Sequence, residues 1–554
     1  MSFKSLFRKK PLAAAQDNTD DSHHSGLNRV LTVKDLTFFG IAAIIGGGTF
    51  SAIGNACFSG GPGVVLLYVI CAIACGFTAM CYAEFASRVP VSGSAYTYAY
   101  VSFGELFAWI IGWALLMEYS IGNIYIAFSW SGYFTNLLSS FGLHIPEYLT
   151  INYHAAHLAF TENKVGEGLT AWNTAPVIGG LRIIFDLPAV VINVIITALV
   201  YIGTKESKNF SNLMVYIKLA IIVLVIIVGA WYIDIDNWTP FMPNGFGGVM
   251  AGVSAVFFAY IGFDAVSTLA EESKNPQRDL PRGMIYSLVA CTVIYIILAL
   301  VITGMVSYTQ LGVSDPLAEI FALKGVKWML FIVSIAAVVA MTSVMLVFQM
   351  GQPRIWMTMS RDGLMPKKFA EVHPKHKTPG FATLITGLVV GVPIFFTDEN
   401  FVLDFTSIGT LFAFVLVCGG VLMLSPQSKE ELEARAGKFK IPYINSKYIY
   451  PIFMIAVLIG LQLLLPDFYA DTFNLAEAAD TKIPMVVFLL FTVVMMPIAF
   501  TKNLSLIPLL GLLSCCYLLT GMSATNWTWF GIWLLVGLVI YFLYGYRKSN
   551  LSKS

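Results

Sequence analysis

Stretches of apolar residues alternate with short polar segments along most of the chain. Most stretches come close to the roughly 20 residues that an α-helix needs to cross a bilayer. The pattern therefore predicts an all-α polytopic membrane protein with about fourteen transmembrane helices. The predicted spans cover residues 36–58, 63–86, 103–138, 187–203, 211–233, 249–270, 284–306, 329–357, 380–397, 403–424, 449–465, 484–500, 503–520 and 528–546.

The first predicted span is interrupted near its middle by the run Ile44-Ile45-Gly46-Gly47-Gly48-Thr49. Each glycine costs roughly 1 kcal/mol relative to alanine inside a helix, so three in succession predict unwound backbone that faces a cavity. The half-helix that starts near Gly48 would point free N–H groups at an anion, whereas the carbonyls of Ile44 and Ile45 could accept from an ammonium group. A free amino acid carries both charges. In the alternative interpretation, the small residues only let two helices pack closely.

A weaker break lies in the sixth predicted span, in Phe258-Ala259-Tyr260-Ile261-Gly262-Phe263-Asp264. The first and sixth spans lie five spans apart and cross the membrane in opposite directions, which is the arrangement that an inverted repeat of five helices requires. We therefore predict a first repeat over residues 31–235 and an inverted second repeat over residues 245–425. Residues 449–546 would add four helices, the eleventh to the fourteenth.

The remaining segments are polar or mixed in composition. Residues 1–30 are predicted to be a disordered tail without the apolar core of a signal peptide. Placing the N-terminus in the cytosol puts 27 of the 33 lysines and arginines on the cytosolic side. Because basic residues concentrate in cytoplasmic loops, we expect both termini to be cytoplasmic. We also expect the chain to lie in the plasma (inner) membrane. The other predicted segments are a long outer loop over residues 140–185, a linker over 426–448 and a second tail over 547–554.

The composition excludes a soluble protein, because 57% of the residues are hydrophobic, 12% are charged and the mean hydropathy is +0.76. All eight cysteines lie in or at the ends of predicted spans, so no disulfide framework is expected. All seven histidines lie outside the spans, so imidazole cannot build a haem or zinc site within the membrane. A membrane enzyme is therefore disfavoured, and no cofactor is expected.

Three ionisable side chains lie deep in predicted spans: Glu118, Lys218 and Asp264. A charge at membrane depth is costly, so each should face a partner or a cavity. Glu118 could instead be a protonated acid that is hydrogen-bonded to neighbouring helices. Lys218 lies only about seven residues into its span, so snorkelling to the inner surface is the alternative to a buried role.

The motifs resemble the amino acid-polyamine-organocation superfamily of transporters, and within it the cationic amino acid transporter branch, whose members also have fourteen spans. The resemblance covers nearly the whole chain. It rests on Gly40 to Gly54, Tyr82-Ala83-Glu84-Phe85, Gly93-Ser94-Ala95-Tyr96, the break in the sixth span with Glu271-Glu272 and Asn275-Pro276, Pro353-Arg354, Asp362-Gly363-Leu364, Lys377-Thr378-Pro379, Ser407-Ile408-Gly409-Thr410-Leu411, and Trp529 to Tyr544.

The resemblance implies the leucine-transporter fold, with alternating access around a site between the first, third, sixth and eighth spans. It implies that N–H groups of the first break bind the substrate carboxylate and that carbonyls of both breaks bind its ammonium group. Phe258 would also act as an aromatic gate. The residues implied for the carboxylate are Gly47, Gly48 and Thr49, and those implied for the ammonium group are Ile44, Ile45, Phe258, Ala259 and Ile261. Family members often have Ser or Thr at the position of Gly47, which leaves Thr49 to supply a hydroxyl here.

Lys218 matches a lysine that, in proton-coupled relatives, places an ammonium group where sodium-coupled relatives bind a cation. The implied function is a secondary active amino acid transporter, with the proton rather than sodium as the coupling ion. Glu118 and Asp264 are the only deep acids that could attract a cationic side chain, and Met341 could line and shorten the side-chain pocket. Small neutral amino acids and the cationic amino acids arginine and lysine are therefore equally expected as substrates.

One further function stays open from the sequence. An amino acid sensor, or a non-transporting assembly subunit of the same fold, would bind amino acids without moving them. The two broken helices argue against such a protein without excluding it. The expected partners are the amino acid substrate and the lipid bilayer, with a small accessory subunit left open and no nucleic acid.

Overall fold

The computed structural model describes residues 7–10, 29–89, 91–162, 166–313, 315–397, 399–423, 439–464, 466, 468–474, 479–522 and 524–552. This part of the chain is almost entirely helical, as predicted. Most of the predicted tail 1–30 and of the predicted linker 426–448 lies outside the described residues. Within that tail, residues 7–10 lie against the helical bundle, which differs from the disorder predicted for the whole segment.

The described α-helices number twenty-two, and a short antiparallel hairpin pairs Val177 with Arg182. The elements are α1 Val33–Ile44, α2 Ile53–Gly60, α3 Val64–Arg88, α4 Ala95–Ser102, α5 Glu105–Ser140, α6 Tyr153–Thr161, α7 Glu167–Thr174, β1 Val177–Ile178, β2 Leu181–Arg182, α8 Leu187–Ile202, α9 Thr204–Ala230, α10 Gly245–Ala251, α11 Val253–Tyr260, α12 Pro276–Met305, α13 Pro316–Leu323, α14 Lys327–Arg361, α15 Gly380–Gly391, α16 Glu399–Met423, α17 Ser446–Leu464, α18 Phe468–Phe473, α19 Ala479–Lys502, α20 Leu506–Leu519, α21 Ala524–Ile540 and α22 Tyr546–Lys548.

Each of the fourteen predicted spans overlaps one or more of these helices. Among the described residues, nine helical stretches are long and apolar enough to cross a membrane, and one of them, Gly48–Arg88, joins α2 to α3. A tenth results if Gly245–Ala251 and Ala255–Glu272, which meet at 47°, form one bent span. Three shorter apolar helices, α8, α15 and α20, coincide with predicted spans. The fold is thus that of a multi-pass membrane protein.

The first break begins where α1 ends at Ile44. Thr32 and Asp35 form a capping box at the start of α1. At its other end Ile45 has extended backbone (φ −83°, ψ 100°), and a π-helical turn follows, in which the amide of Ile53 donates to the carbonyl of Gly48. The interruption therefore coincides with the glycine run. The end of the bundle at which α1 begins is called the N-side below.

The second break follows α11. Ile261 has extended backbone, and Gly262 has a φ of 121°, in the left-handed region that favours glycine. Residues Asp264–Glu272 then form a 3₁₀ helix, so the α-helix that the sequence predicted up to residue 270 does not form there. The hydroxyls of Ser267 and Thr268 contact carbonyls three residues earlier, at 2.6 and 2.7 Å, which suits the three-residue turn.

The long central helices hold the two breaks in place. α5 and α14 pack on each other, α12 packs on α3 and α1, and α16 packs on α5 and α20. The apolar parts of α17, α19 and α21 are only 11%, 22% and 22% buried, so these three helices form the rim of the bundle. Part of the predicted outer loop 140–185 has a small core of its own, formed by Ala156, Ala171, Trp172, Ala175 and Ile184.

Candidate functional site

The two helix breaks lie directly against each other. A Cβ atom on Gly48 would lie 2.4 Å from the Cα atom of Ala259, and one on Gly262 would lie 2.6 Å from the Cβ atom of Ala43. Neither distance leaves room for a methyl group, so each break needs glycine for the approach of the other. The breaks were predicted from separate stretches of sequence, and the structure brings them into contact.

The other two glycines of the run face two further helices. A Cβ atom on Gly46 would lie 2.3 Å from Cγ2 of Val344 on α14, and one on Gly47 would lie 2.6 Å from Cδ1 of Ile126 on α5. The glycine run therefore lets α5, α11 and α14 pack on the first break at once. Unwound backbone and close helix packing, which were alternatives for the sequence, occur together here.

A small closed cavity lies beside the breaks. It offers about 10 Å³ of space to water, which is room for about one molecule. The cavity must therefore widen before it can hold an amino acid. Five residues predicted to bind substrate line it, namely Ile44, Gly47, Gly48, Phe258 and Ile261, together with Ala43, Ile126, Val344 and Phe348.

Tyr295 on α12 ties the two breaks together. Its hydroxyl lies 2.9 Å from the carbonyl oxygen of Ile44 and 2.8 Å from that of Ala259, and it accepts a hydrogen bond from the hydroxyl of Thr49 at 3.0 Å. A phenol has one hydrogen to donate, so the two carbonyls share it. No pattern in the sequence points to Tyr295, although its hydroxyl contacts three of the predicted site residues.

Lys218 on α9 is fully buried and does not snorkel to the N-side surface. Its ammonium group donates to the carbonyl oxygens of Ala42 and Ile45, at 3.0 and 2.8 Å, and to the hydroxyl of Ser343 on α14 at 3.0 Å. These three acceptors match the three N–H groups of an ammonium ion. The last carbonyls of a helix lack intrahelical partners, and a cation suits that end of the helix dipole. Lys218 thus caps the broken end of α1 and joins it to α14.

Some of the groups predicted to bind substrate already have partners within the protein. The amide of Thr49 donates to the carbonyl of Gly46 at 2.9 Å, and its hydroxyl donates to Tyr295, so in this conformation Thr49 offers no hydrogen to a carboxylate. Within the described part of the chain, the carbonyl of Ile45 accepts from Lys218, and the carbonyls of Ile44 and Ala259 share the hydrogen of Tyr295. Because a carbonyl oxygen has two lone pairs, these three retain capacity for an ammonium group.

α14 forms its part of the cavity wall with Val344 and Phe348. Met341, a predicted wall residue, is fully buried but is not among the lining residues. It lies about one turn before Val344, on the same side of the helix and nearer its start. Phe258, the expected gate, packs edge-on against Tyr125 at 4.9 Å.

Glu118 and Asp264 lie outside the cavity wall, in a buried polar cluster. They are 2% and 1% exposed and close enough to interact electrostatically. Among the residues that the structure describes, one oxygen of Glu118 and both carboxylate oxygens of Asp264 have no hydrogen-bond partner, and neither do the hydroxyls of Tyr82 and Tyr119. Unpaired buried carboxylates are costly. The cluster is therefore a second polar site inside the bundle, separate from the breaks.

Two ion pairs close the N-side. Arg354 on α14 is 1% exposed and binds both carboxylate oxygens of Glu272, at 2.6 and 3.2 Å. Arg361 binds Glu271 at 2.9 Å. Both acids end the 3₁₀ helix of the second break, so these pairs clamp that segment to α14. They are called the N-side gate below.

Two broken helices in an apolar bundle surround a closed cavity. A buried lysine lies beside this cavity, and ion pairs close the N-side. Together these features define a membrane transport protein. The chain belongs to the amino acid permease family. The profile of that family matches residues 31–496, and a profile for the C-terminus of the same permeases matches residues 504–549. The family predicted from the motifs is thereby confirmed, and so is the prediction of a transporter rather than an enzyme.

Similar proteins cover almost the entire chain. The branched-chain amino acid permease BcaP of Bacillus subtilis is 38% identical, over 99% of this chain and 99% of its own length. The methylthioribose transporter of the same organism is 37% identical, over 99% and 100%. Human cationic amino acid transporter 4 is 30% identical, over 98% and 90%. The two Bacillus subtilis relatives, which are 38% and 37% identical to this chain, are thus named for different substrates.

Proposed function

We propose that the chain is a proton-coupled secondary transporter that moves small neutral amino acids across the plasma membrane by alternating access. The observation that carries this proposal is the closed cavity between two broken helices, with the single ammonium group of Lys218 capping one of them. Such a site offers N–H groups and carbonyls to a zwitterion and has its own switchable cation.

Each end of the substrate has proposed contacts at the breaks. The carboxylate would bind amides of Gly47 and Gly48, with Thr49 joining only after it releases Gly46. The ammonium group would take the second lone pairs of the carbonyls of the two breaks, and Phe258 would close over the substrate. Those carbonyls belong to Ile44, Ile45, Phe258, Ala259 and Ile261.

The cavity wall favours a small apolar side chain. Ile126, Val344 and Phe348 supply that wall, and none of the described lining residues is charged. A cationic side chain would have to pass beyond this wall to reach Glu118 and Asp264. Branched-chain substrates, as in the name of one relative, fit the lining better than arginine, and methylthioribose lacks the zwitterion that the breaks would bind.

The proposed topology has fourteen membrane helices in the leucine-transporter fold, with repeats over residues 31–235 and 245–425 and four further helices over 449–546. The N-side would face the cytoplasm, because 27 of the 33 lysines and arginines fall on that side. Sodium is not required in this proposal, since Lys218 already supplies a cation between α1 and α14.

Uptake by the purified protein in proteoliposomes tests the proposal. Labelled leucine, alanine, arginine and methylthioribose are offered in sodium-free buffer, with and without an acid exterior. The expected result is accumulation of alanine or leucine only with the pH gradient. Accumulation that needs sodium, or that ignores pH, contradicts the coupling, and selective uptake of methylthioribose contradicts the substrate class. A sensor would be stabilised thermally by an amino acid and show neither uptake nor exchange.

A further inference from the structure

The segment Phe7–Lys10 binds across the N-side of the bundle. The amide of Lys10 donates to the carbonyl of Tyr100 at 3.3 Å, and the amide of Glu105 donates to the carbonyl of Arg8 at 2.9 Å. The segment therefore pairs its backbone with the junction between α4 and α5. It is called the strap below.

Two buried carboxylates anchor the strap through their charges. Asp362, at the end of α14, accepts from the ammonium group of Lys10 at 2.7 Å and from the hydroxyl of Tyr96 at 2.8 Å. Glu105 is fully buried and lies 3.7 Å from the guanidinium group of Arg8. Each carboxylate thus receives a positive charge from the strap. Three neutral hydroxyls, those of Tyr100, Tyr541 and Ser549, donate hydrogen bonds to Glu105.

A later part of the chain completes the same anchor. Arg8 donates to the carbonyl of Leu551 at 3.1 Å and lies 5.5 Å from the ring centre of Tyr546. The amide of Asn550 donates to the carbonyl of Asp362 at 3.1 Å. The strap is therefore held between the end of α14 and the segment after α21.

The anchor adjoins the N-side gate. Asp362 directly follows Arg361, the partner of Glu271, and the amide of Glu271 donates to the hydroxyl of Ser92, just before α4, at 3.2 Å. The gate segment Asp264–Glu272 is thus held between the end of α14 and the start of α4. The strap bridges the same two elements, which closes a ring of contacts around the gate.

We infer that the strap is a lock on the N-side gate. The strap binds the carboxylates of Glu105 and Asp362 while the gate is closed. When the end of α14 moves away from the gate segment, the strap must release one of these two carboxylates. The inference rests on the proposed alternating access. A modification or ligand that withdraws the strap would raise the population that is open to the N-side, because contacts made in only one state bias the equilibrium toward that state.

Accessibility of a reporter cysteine tests the lock without any transport measurement. Thr268→Cys places a thiol in the fully buried gate segment of the full chain, and a membrane-impermeant maleimide reports its exposure, with the Thr268 protein giving the background of the native cysteines. Lys10→Ala should label about three- to tenfold faster, since one hydrogen bond present in only one state shifts the equilibrium by about that factor. Lys10→Arg should stay near the parent rate.

Lys9→Ala is the matched control, because Lys9 is the neighbouring lysine of the strap and its side chain is exposed. Equal labelling of Lys9→Ala and Lys10→Ala overturns the lock. If Lys10→Ala does not fold, the double variant Lys10→Asp with Asp362→Lys, which exchanges the two charges, is labelled instead. Slow labelling of the double variant, near the parent rate, supports the lock. Labelling of the double variant as fast as that of Asp362→Lys alone overturns the lock. Failure of the proposed transport would show in uptake and not in this assay.

Discussion

Replacing Lys218 by methionine should separate substrate movement from proton coupling. Methionine keeps an unbranched side chain but cannot donate, so the substitution removes three hydrogen bonds that join α1 to α14. A hydrogen bond to a charged group contributes about 1.5–3 kcal/mol. Loss of even one such bond therefore changes the ratio of two conformations by about tenfold or more. In the wild-type protein, loss of the proton would act on the same bonds, because a neutral amine has one N–H fewer than its three acceptors need.

The size of the coupling follows from the single ammonium group. Lys218 has one proton to release, so we expect one proton to accompany each substrate molecule. A difference of one pH unit supplies about 1.4 kcal/mol per proton, which sustains an accumulation of at most about tenfold. The wild-type protein should approach that ratio, whereas Lys218→Met should stay near an internal-to-external ratio of about one while still exchanging substrate.

The assay is uptake into proteoliposomes in sodium-free buffer with an acid exterior. Lys327→Met makes the same substitution at the exposed start of α14 and serves as the matched control. Counterflow of labelled against unlabelled substrate, without a pH gradient, shows whether the variant is folded and active. Accumulation by Lys218→Met at the wild-type level refutes the coupling role. Loss of counterflow as well as accumulation assigns Lys218 a structural role instead.

Four further substitutions test the site itself. Tyr295→Phe leaves a buried carbonyl without its donor, at a cost of about 1–3 kcal/mol, and should lower the unfolding temperature; an unchanged temperature contradicts the bridge between the breaks. Val344→Ala should widen the cavity and admit longer side chains in a competition profile of amino acids, and a larger change in Met341→Ser would place the wall at Met341 instead. Gly48→Ala should abolish substrate binding, because its methyl group would lie 2.4 Å from the Cα atom of Ala259; normal affinity contradicts the close approach.

The position of the first break could be predicted because the cost of glycine in a helix is local. Ile44 to Thr49 carry that signal in six consecutive residues, and the structure ends α1 within them. The depth of Lys218 could not be decided in the same way, since its position along the span fits both a buried and a snorkelling side chain. Only the packing of α1, α9 and α14 places its ammonium group at the break.

The contacts made by distant residues leave no pattern in the sequence. Tyr295 is an ordinary aromatic residue in an apolar span, and the carbonyls it contacts lie 251 and 36 positions away. The ends of the strap are a stronger case, because Lys10 and Arg8 meet partners 352 and 543 positions away. A short basic segment without apolar periodicity predicts a solvated tail, and only its buried acidic partners show otherwise.

The small volume of the closed cavity bears on energy conservation in the cell. A proton crosses a membrane protein along an unbroken file of waters or polar groups, and a space of about 10 Å³ holds about one water molecule. In the proposed proton-coupled cycle, this cavity would therefore give protons no continuous file of water in this conformation. Dissipation would be low even when substrate is scarce, so the cell would not lose its gradient through idle copies of the protein.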